Sequence, residues 1–197
     1  MSRLLREQTP LNAIDKVNWP SFPCKPGIHF HAGHVKNEIW LSFNVSEKNP
    51  RAEVTHTNGP VYQDSCVEFF ISPRSDGRYY NIEMNSLGTV LAGYGSGRGD
   101  LVLLDADVVS KIRTYPSPGE NITPGRTCDP AWHLVVAIPA DFFIHDRIET
   151  FSGMRSRGNF HSCSDLAEKK RYLTWSPVPT GKPDFHRYEF FGGLIFE

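Results

Sequence analysis

At 197 residues and 39% hydrophobic content the chain can bury one good core, and its length favours one domain spanning 1–197. A net charge of −1, with 21 basic residues scattered among 22 acidic ones, gives no footprint for nucleic acid or an anionic membrane and points to a neutral or weakly charged ligand. No run approaches the ~20 apolar residues of a membrane span, and the opening MSRLLREQTP lacks a signal-peptide core, so the chain as written is expected to be cytoplasmic, or periplasmic or extracellular if its start has been trimmed.

Residues 1–30, with Pro10, Pro20, Pro23 and Pro26, read as an extended lead-in carrying one or two strands. His29, His31 and His34 follow; an H-x-H can put two imidazoles on one strand face, but no acidic partner lies nearby in sequence. Ile39, Leu41, Phe43 and Val45 alternate with Trp40, Ser42 and Asn44, the period-2 pattern of a half-buried strand. Trp40 faces away from the Ile39 series, either as a surface platform or as a tryptophan covered by a loop.

The run Tyr62 to Ile71, YQDSCVEFFI, places an aromatic, an amide and two carboxylates on an expected strand, with polar groups aimed away from the core. Tyr80, Ile82 and Met84 then alternate with Asn81, Glu83 and Asn85; that polar stripe reads equally as a structural ladder or a binding comb. GYGSGRGD, from Gly93, breaks the dinucleotide fingerprint with Arg98 and reads as a mobile hairpin loop, and its RGD is a chance match.

Further strands are expected at 108–115, 132–138, 151–157, 172–175 and 193–196, with Trp132 leading a core series through Leu134, Val136 and Ile138. Only 139–144 and 164–170 read as helical turns, so nothing is long enough to cross between parallel strands. An all-β antiparallel β-sandwich with short helical turns, immunoglobulin-like or jelly-roll-like, is therefore expected. Cys24, Cys66, Cys128 and Cys163 lie far apart without a C-x-x-C and read as buried free thiols. The sequons at Asn44 and Asn121 matter only in a secretory pathway.

Four segments carry a resemblance: YQDSCVEFFI, YYNIEMNSLGTVLAGY (79–94), WHLVVAIP (132–139), and the ending in which TWSPV precedes PDFHRYEFFGGLIF. In this order and spacing the chain resembles the family 9 carbohydrate-binding modules, in particular the stand-alone family 9-like proteins among the DOMON-like β-sandwiches. The resemblance implies non-catalytic binding of the end of an oligosaccharide or polysaccharide in carbohydrate catabolism, the sugar lying between two aromatic rings while acidic and amide side chains bond its hydroxyls. A pyranose needs such a site, because it has an apolar C–H face and a fringe of hydroxyls.

Tyr62 falls at the family's first aromatic, where tryptophan is usual, and Glu68 at its acidic residue. Trp175 is the nearest counterpart of the second aromatic. Gln63, Asn81, Glu83 and Asn85 complete the expected ligand-binding set. Plain alternatives stand beside these roles: Tyr62 as a packing aromatic, Glu68 as an exposed or ion-paired residue. Some members hold calcium, for which Asp64, Asp76 and Asp105 are candidates.

Two other functions compete. A glycosidase needs two carboxylates about 5 to 9.5 Å apart, and Asp64, Glu68 and Glu83 could supply them, although no catalytic motif demands it and no catalytic residue is assigned. A DOMON-like scaffold with another ligand, such as heme, or a protein partner is the third.

Overall fold

A computed structural model describes residues 2–118 and 131–197. The strands are β1 (Asn12–Ala13), β2 (Lys16–Val17), β3 (Gly27–Val35), β4 (Glu38–Ser46), β5 (Cys66–Ser72), β6 (Tyr79–Asn85) and β7 (Val90–Gly95), followed by β8 (Val102–Leu103), β9 (Arg113–Pro118), β10 (Ala131–Pro139), β11 (Arg155–Cys163), β12 (Tyr172–Thr174) and β13 (Gly192–Ile195). They form two sheets, the first in the order β1-β3-β4-β10-β9 and the second β2-β12-β11-β5-β6-β7-β8, with β13 also on β11. Every pairing is antiparallel. The architecture is the expected β-sandwich.

The register explains the core. Ile39, Leu41, Phe43 and Val45 of β4 lie opposite Ile138, Val136, Leu134 and Trp132 of β10, so one strand face is apolar in both partners. On the second sheet Val67, Phe69 and Ile71 lie opposite Met84, Ile82 and Tyr80. These side chains form one buried cluster between the sheets, crossed by Phe160, which stacks on Phe30 at 4.0 Å and on Phe69 at 4.7 Å between ring centroids. Burying that apolar surface is the main driving force for the two layers to associate.

Each sheet is also covered outside, and there the structure departs from expectation. A helix, α1 (Ser2–Gln8), occupies part of the lead-in and lays Leu5 over Trp40 and Ala137. Trp40 is thus a covered residue, and it stacks on Tyr115 at 6.3 Å. A second helix, α2 (Ala106–Val109), stands where a strand from 108 was expected. Val109 enters the core from this turn, so tertiary burial overrides the β-preference of two adjacent valines.

Strand β11 begins at Arg155 rather than 151. Phe151 is buried in the preceding turn, which Gly153 closes at φ +78, a conformation that favours glycine. Residues 164–170 form turns, and the 139–144 segment holds a single 3-10 turn, Ala140–Phe142. Cys66 and Cys163 are buried free thiols as expected, whereas Cys24 is free but only half-buried; Cys128 and the Asn121 sequon lie outside the described residues.

One polar tie joins the sheets. Glu47, just after β4, accepts a hydrogen bond from the Trp132 indole at 2.8 Å and pairs with Arg171, which is 2% exposed and also donates to Ser162 Oγ at 3.1 Å. Removing one partner of such a buried pair strands the other charge. Glu47→Ala is therefore expected to lower unfolding free energy by about 3 to 5 kcal/mol in denaturant titration. A loss under 1 kcal/mol would show that the pair is solvated and idle.

Candidate functional site

Strands β5 and β6 are buried on both faces, although only one face meets the other sheet. Their outer face carries Cys66, Glu68 and Phe70 beside Tyr79, Asn81, Glu83 and Asn85. A second apolar cluster, including Trp19, Phe70, Tyr79, Phe185 and Phe191, packs the segment after β12 down onto it. Between sheet and covering chain lies a pocket of about 320 Å³. Glu68, Asn81 and Glu83 line it with Leu91 and Cys163; Tyr62, Arg98, Asp165, Tyr172, Asp184, Phe185 and His186 complete the lining.

The polar lining is tightly placed. Glu68 and Glu83 are direct cross-strand partners, and Asn81 Nδ2 donates to Glu83 Oε1 at 3.0 Å. Asn81 in turn lies opposite Gly93, where a Cβ would come within 2.8 Å of Asn81 Oδ1. Glu68 Oε1 accepts from Cys163 Sγ at 3.0 Å, and its Oε2 lies 3.7 Å from His161 Nδ1. Glu83 Oε2, Asn81 Oδ1 and both His161 ring nitrogens are buried without a hydrogen-bond partner among the described residues. Buried polar atoms in this state call for a partner from outside the described residues, an ordered water, an ion or a ligand group.

Two buried carboxylates side by side resist ionisation. Burial, reinforced by the charge of Glu83, holds Glu68 well above the ordinary carboxylate range. Burial raises Glu83 to about 7, against the Asn81 hydrogen bond and the positive field of Arg98. His186 is pushed down to about 4, chiefly by burial, and shares a 2.9 Å hydrogen bond with the Tyr79 hydroxyl. His161 is likewise depressed by burial and stacks on Phe185 at 4.3 Å.

Loops supply the rim. Tyr62 stands in a 3-10 turn, Val61–Gln63, rather than on a strand, because β5 begins only at Cys66. The turn is pinned by Asp64, whose Oδ2 accepts from the Glu53 and Val54 amides and from Asn85. The Tyr62 carbonyl accepts from the Asp165 amide at 3.0 Å, which ties both rim residues together. The glycine-rich turn after β7 is also fixed: Asp100 accepts from the Ser96 and Gly97 amides, and Arg98 reaches Asp184 at 3.5 Å.

Of the expected binding set, Tyr62, Glu68, Asn81 and Glu83 meet in this pocket. Gln63 sits beside it on the turn without lining it. Asn85 is committed elsewhere, donating to Asp64 and the Val54 carbonyl. Trp175 is on a different surface: its ring meets Phe30 and Phe160 edge-on, and Gly192 leaves room for it, since a Cβ there would approach the ring to 2.5 Å. The aromatics that accompany Tyr62 are Tyr172 and Phe185. Of these, only Phe185 lay in a quoted motif, PDFHRYEF, and only as part of the resemblance.

The calcium candidates do not converge. Asp64 is spent on backbone and Asn85 contacts, and Asp76 bonds the Arg78 amide. His31 bonds Thr9, and His34 Nε2 donates to the Glu197 carbonyl. Among the described residues the one group of three possible metal ligands is Cys66, Glu68 and Cys163.

Comparison with known proteins follows the same lines. The model of carbohydrate-binding family 9 matches residues 2–196. A crystal structure of a Bacteroides uniformis protein, provisionally named as carbohydrate-binding, is 33% identical, with TM-score 0.89 over 100% of this chain and 90% of that one. A family 9 module from Caldicellulosiruptor kristjanssonii, solved with glucose and with cellotriose, aligns at TM-score 0.63 and 11% identity over 98% of this chain and 86% or 85% of that one. Among curated proteins no significant relative was found.

The Glu83 shift has a definite sign. Its folded value, about 7, exceeds the ordinary 4.5, so the folded state holds a proton that the unfolded state loses as pH rises from 4.5. Stability from this group is thus full below about 4.5 and lost as pH climbs through about 7. His186 acts oppositely, its contribution being lost as pH falls from 6.5 toward 4. Glu83→Gln keeps an acceptor for Asn81 and cannot ionise. It is expected to match the parent in thermal melts at pH 5 and to exceed it at pH 8, by on the order of a few kcal/mol. Parallel pH profiles would show that Glu83 is solvated.

Proposed function

Since this chain belongs to carbohydrate-binding family 9, we propose that it binds carbohydrate without transforming it, taking the end of an oligosaccharide or polysaccharide into the pocket of Tyr62, Glu68, Asn81, Glu83 and Tyr172. One observation carries the reading: Glu68, Asn81 and Glu83 line a small-ligand cavity whose walls include Tyr62 and Tyr172. A sugar hydroxyl both donates and accepts, so it satisfies a protonated carboxyl as readily as an ionised one. The aromatic rings cover the C–H face. A pocket floored by a sheet and walled by loops suits a chain end better than a mid-chain segment. The glucose and cellotriose complexes of the Caldicellulosiruptor module support the same ligand class.

A hydrolytic reading has one observation in its favour, the facing pair Glu68 and Glu83 with raised pKa values. Hydrolysis needs one carboxylate ionised against the other, which a Glu83 at about 7 beside a more strongly raised Glu68 allows at neutral pH, so the aryl-glycoside assay below separates the two readings.

Isothermal titration with cello- and xylo-oligosaccharides tests the proposal. Tyr62→Ala and Tyr172→Ala are each expected to cost about 1 to 3 kcal/mol, roughly tenfold to a hundredfold in affinity, without loss of fold. Trp175→Ala should instead destabilise the protein by about 2 to 4 kcal/mol and leave affinity unchanged in the folded fraction. Absence of any sugar heat, or an affinity loss confined to Trp175→Ala, would overturn this site. Release of nitrophenol from aryl glycosides, abolished in Glu68→Gln, would replace binding with catalysis.

A further inference from the structure

Beside Glu68, which the sugar reading also uses, the floor of the pocket holds two thiols for which a sugar has no need. Cys66 and Cys163 are directly opposed on β5 and β11, and Glu68 lies one pleat along on the same face. One ligand atom from each of the three falls within 4.8 Å of the others, and all three side chains are buried. Tetrahedral zinc sites hold sulfurs about 2.3 Å and oxygens about 2.0 to 2.2 Å from the metal, so their ligand atoms sit roughly 3.5 to 3.8 Å apart. Closing from the observed spacing to that one takes side-chain rotation of about an ångström.

Three observations point to an occupant. The Cys163 thiol has a single proton, yet its sulfur approaches two acceptors, Glu68 Oε1 at 3.0 Å and the Tyr62 carbonyl at 3.4 Å. Cys66 has a long contact, 3.6 Å, to the Val67 carbonyl and also meets the Cys163 thiol, so the two sulfurs already face one another. His161 is wholly buried with both ring nitrogens unpartnered, and its Nδ1 stands 3.7 Å behind the other oxygen of Glu68. Carboxylates that ligate metals are themselves hydrogen-bonded, and His161 stands where a small shift would supply such a bond to Glu68. Glu68 and Cys163 open onto the pocket, which gives a cation an entry path.

We propose that Cys66, Cys163 and Glu68 form a site for one thiophilic divalent cation of zinc's class, with the fourth position facing the pocket. On binding, the two S–H bonds break, two metal–sulfur bonds form and the two protons leave to solvent; Glu68 coordinates as carboxylate and gives up any proton it carries. Two thiolates and a carboxylate leave a net charge of −1 around the ion, which Arg98 at the pocket partly offsets. The hard, oxygen-seeking cations calcium and magnesium are disfavoured by the two sulfurs.

The test uses the full-length chain, reduced and stripped with a chelator, then titrated with cobalt(II) and cadmium(II) as probes. A thiolate-to-metal charge-transfer band in the near ultraviolet should saturate at one equivalent, and added zinc should bleach the cobalt band. Cys66→Ser and Cys163→Ser should each abolish it, and Glu68→Gln should weaken affinity at least about tenfold.

Serine at a buried thiol position can itself impair folding, so a complementary variant leaves the site intact. Cys24→Ser combined with Cys128→Ser retains only the two proposed sulfurs and should keep the full band. No thiolate band in that double variant, or metal binding that survives both single serine changes, overturns the proposal. Sugar titration of the stripped protein is a separate readout, so failure of the metal site leaves the carbohydrate reading standing.

Discussion

Two buried glutamates facing one another across adjacent strands are the constraint on which the site depends. A paired position on a sheet brings Cβ atoms within about 5 Å, and like charges there repel. Glu68 and Glu83 occupy such a pair, at 2% and 6% exposure, where leucine or valine would fold more easily. The surrounding residues read as responses to that cost: Asn81 donates to Glu83, Arg98 supplies positive field, Cys163 donates to Glu68, and Gly93 keeps its own strand flat so that Asn81 has room. Polar groups held at such expense serve recognition better than stability, since replacing them by apolar residues is commonly neutral or favourable to folding.

What makes those residues buried is a third layer. In a plain sandwich the outer faces are wet and polar residues there are cheap. Here Trp19, Phe22, Phe185 and Phe191 fold over the second sheet, with Phe22 meeting Tyr172 edge-on at 4.8 Å and Trp19 meeting Phe185 at 5.9 Å. The aromatic cover does two things at once. It closes a cavity beside the carboxylates, and it removes the solvent that would otherwise keep them ionised. Pocket and perturbed acidity thus have a single cause, the packing of residues from both ends of the chain onto one sheet face.

The strands that carry the main core were legible because they alternate strictly. Ile39 to Val45, Val67 to Ile71, Tyr80 to Met84 and Trp132 to Ile138 all place their apolar sets between the sheets. The same alternation was misleading about the opposite face. It separates residues into two sets, but it cannot say whether the second set meets water or another layer. Glu68 therefore read as exposed or ion-paired and is buried, while Trp40 lies under a helix that nothing in the first eight residues announced. Local propensity failed where tertiary burial competed with it, as at Val108 and Val109. The pocket was legible only in part for a further reason: Tyr62, Arg98, Asp165, Tyr172 and Phe185 converge from segments far apart in sequence, and no periodicity links them.

The position of Trp175 shows how strand parity assigns an aromatic to one face of a sheet or the other. It follows β12 directly, two residues past Leu173, which points into the core. By strand parity it therefore turns inward too, toward Phe160 and Phe30, and Gly192 lacks the side chain that would bar it. Tyr172, of opposite parity, points to the outer face, where Phe22 and Phe185 brace it. On β12 the positions of that parity are Tyr172 and Thr174, so Tyr172 is the aromatic that the strand supplies to the pocket. Its tyrosine ring adds a hydroxyl that a tryptophan lacks, placed near Asp165. That hydroxyl is hydrogen-bonded to Asp165, which holds the ring in place at the rim of the pocket.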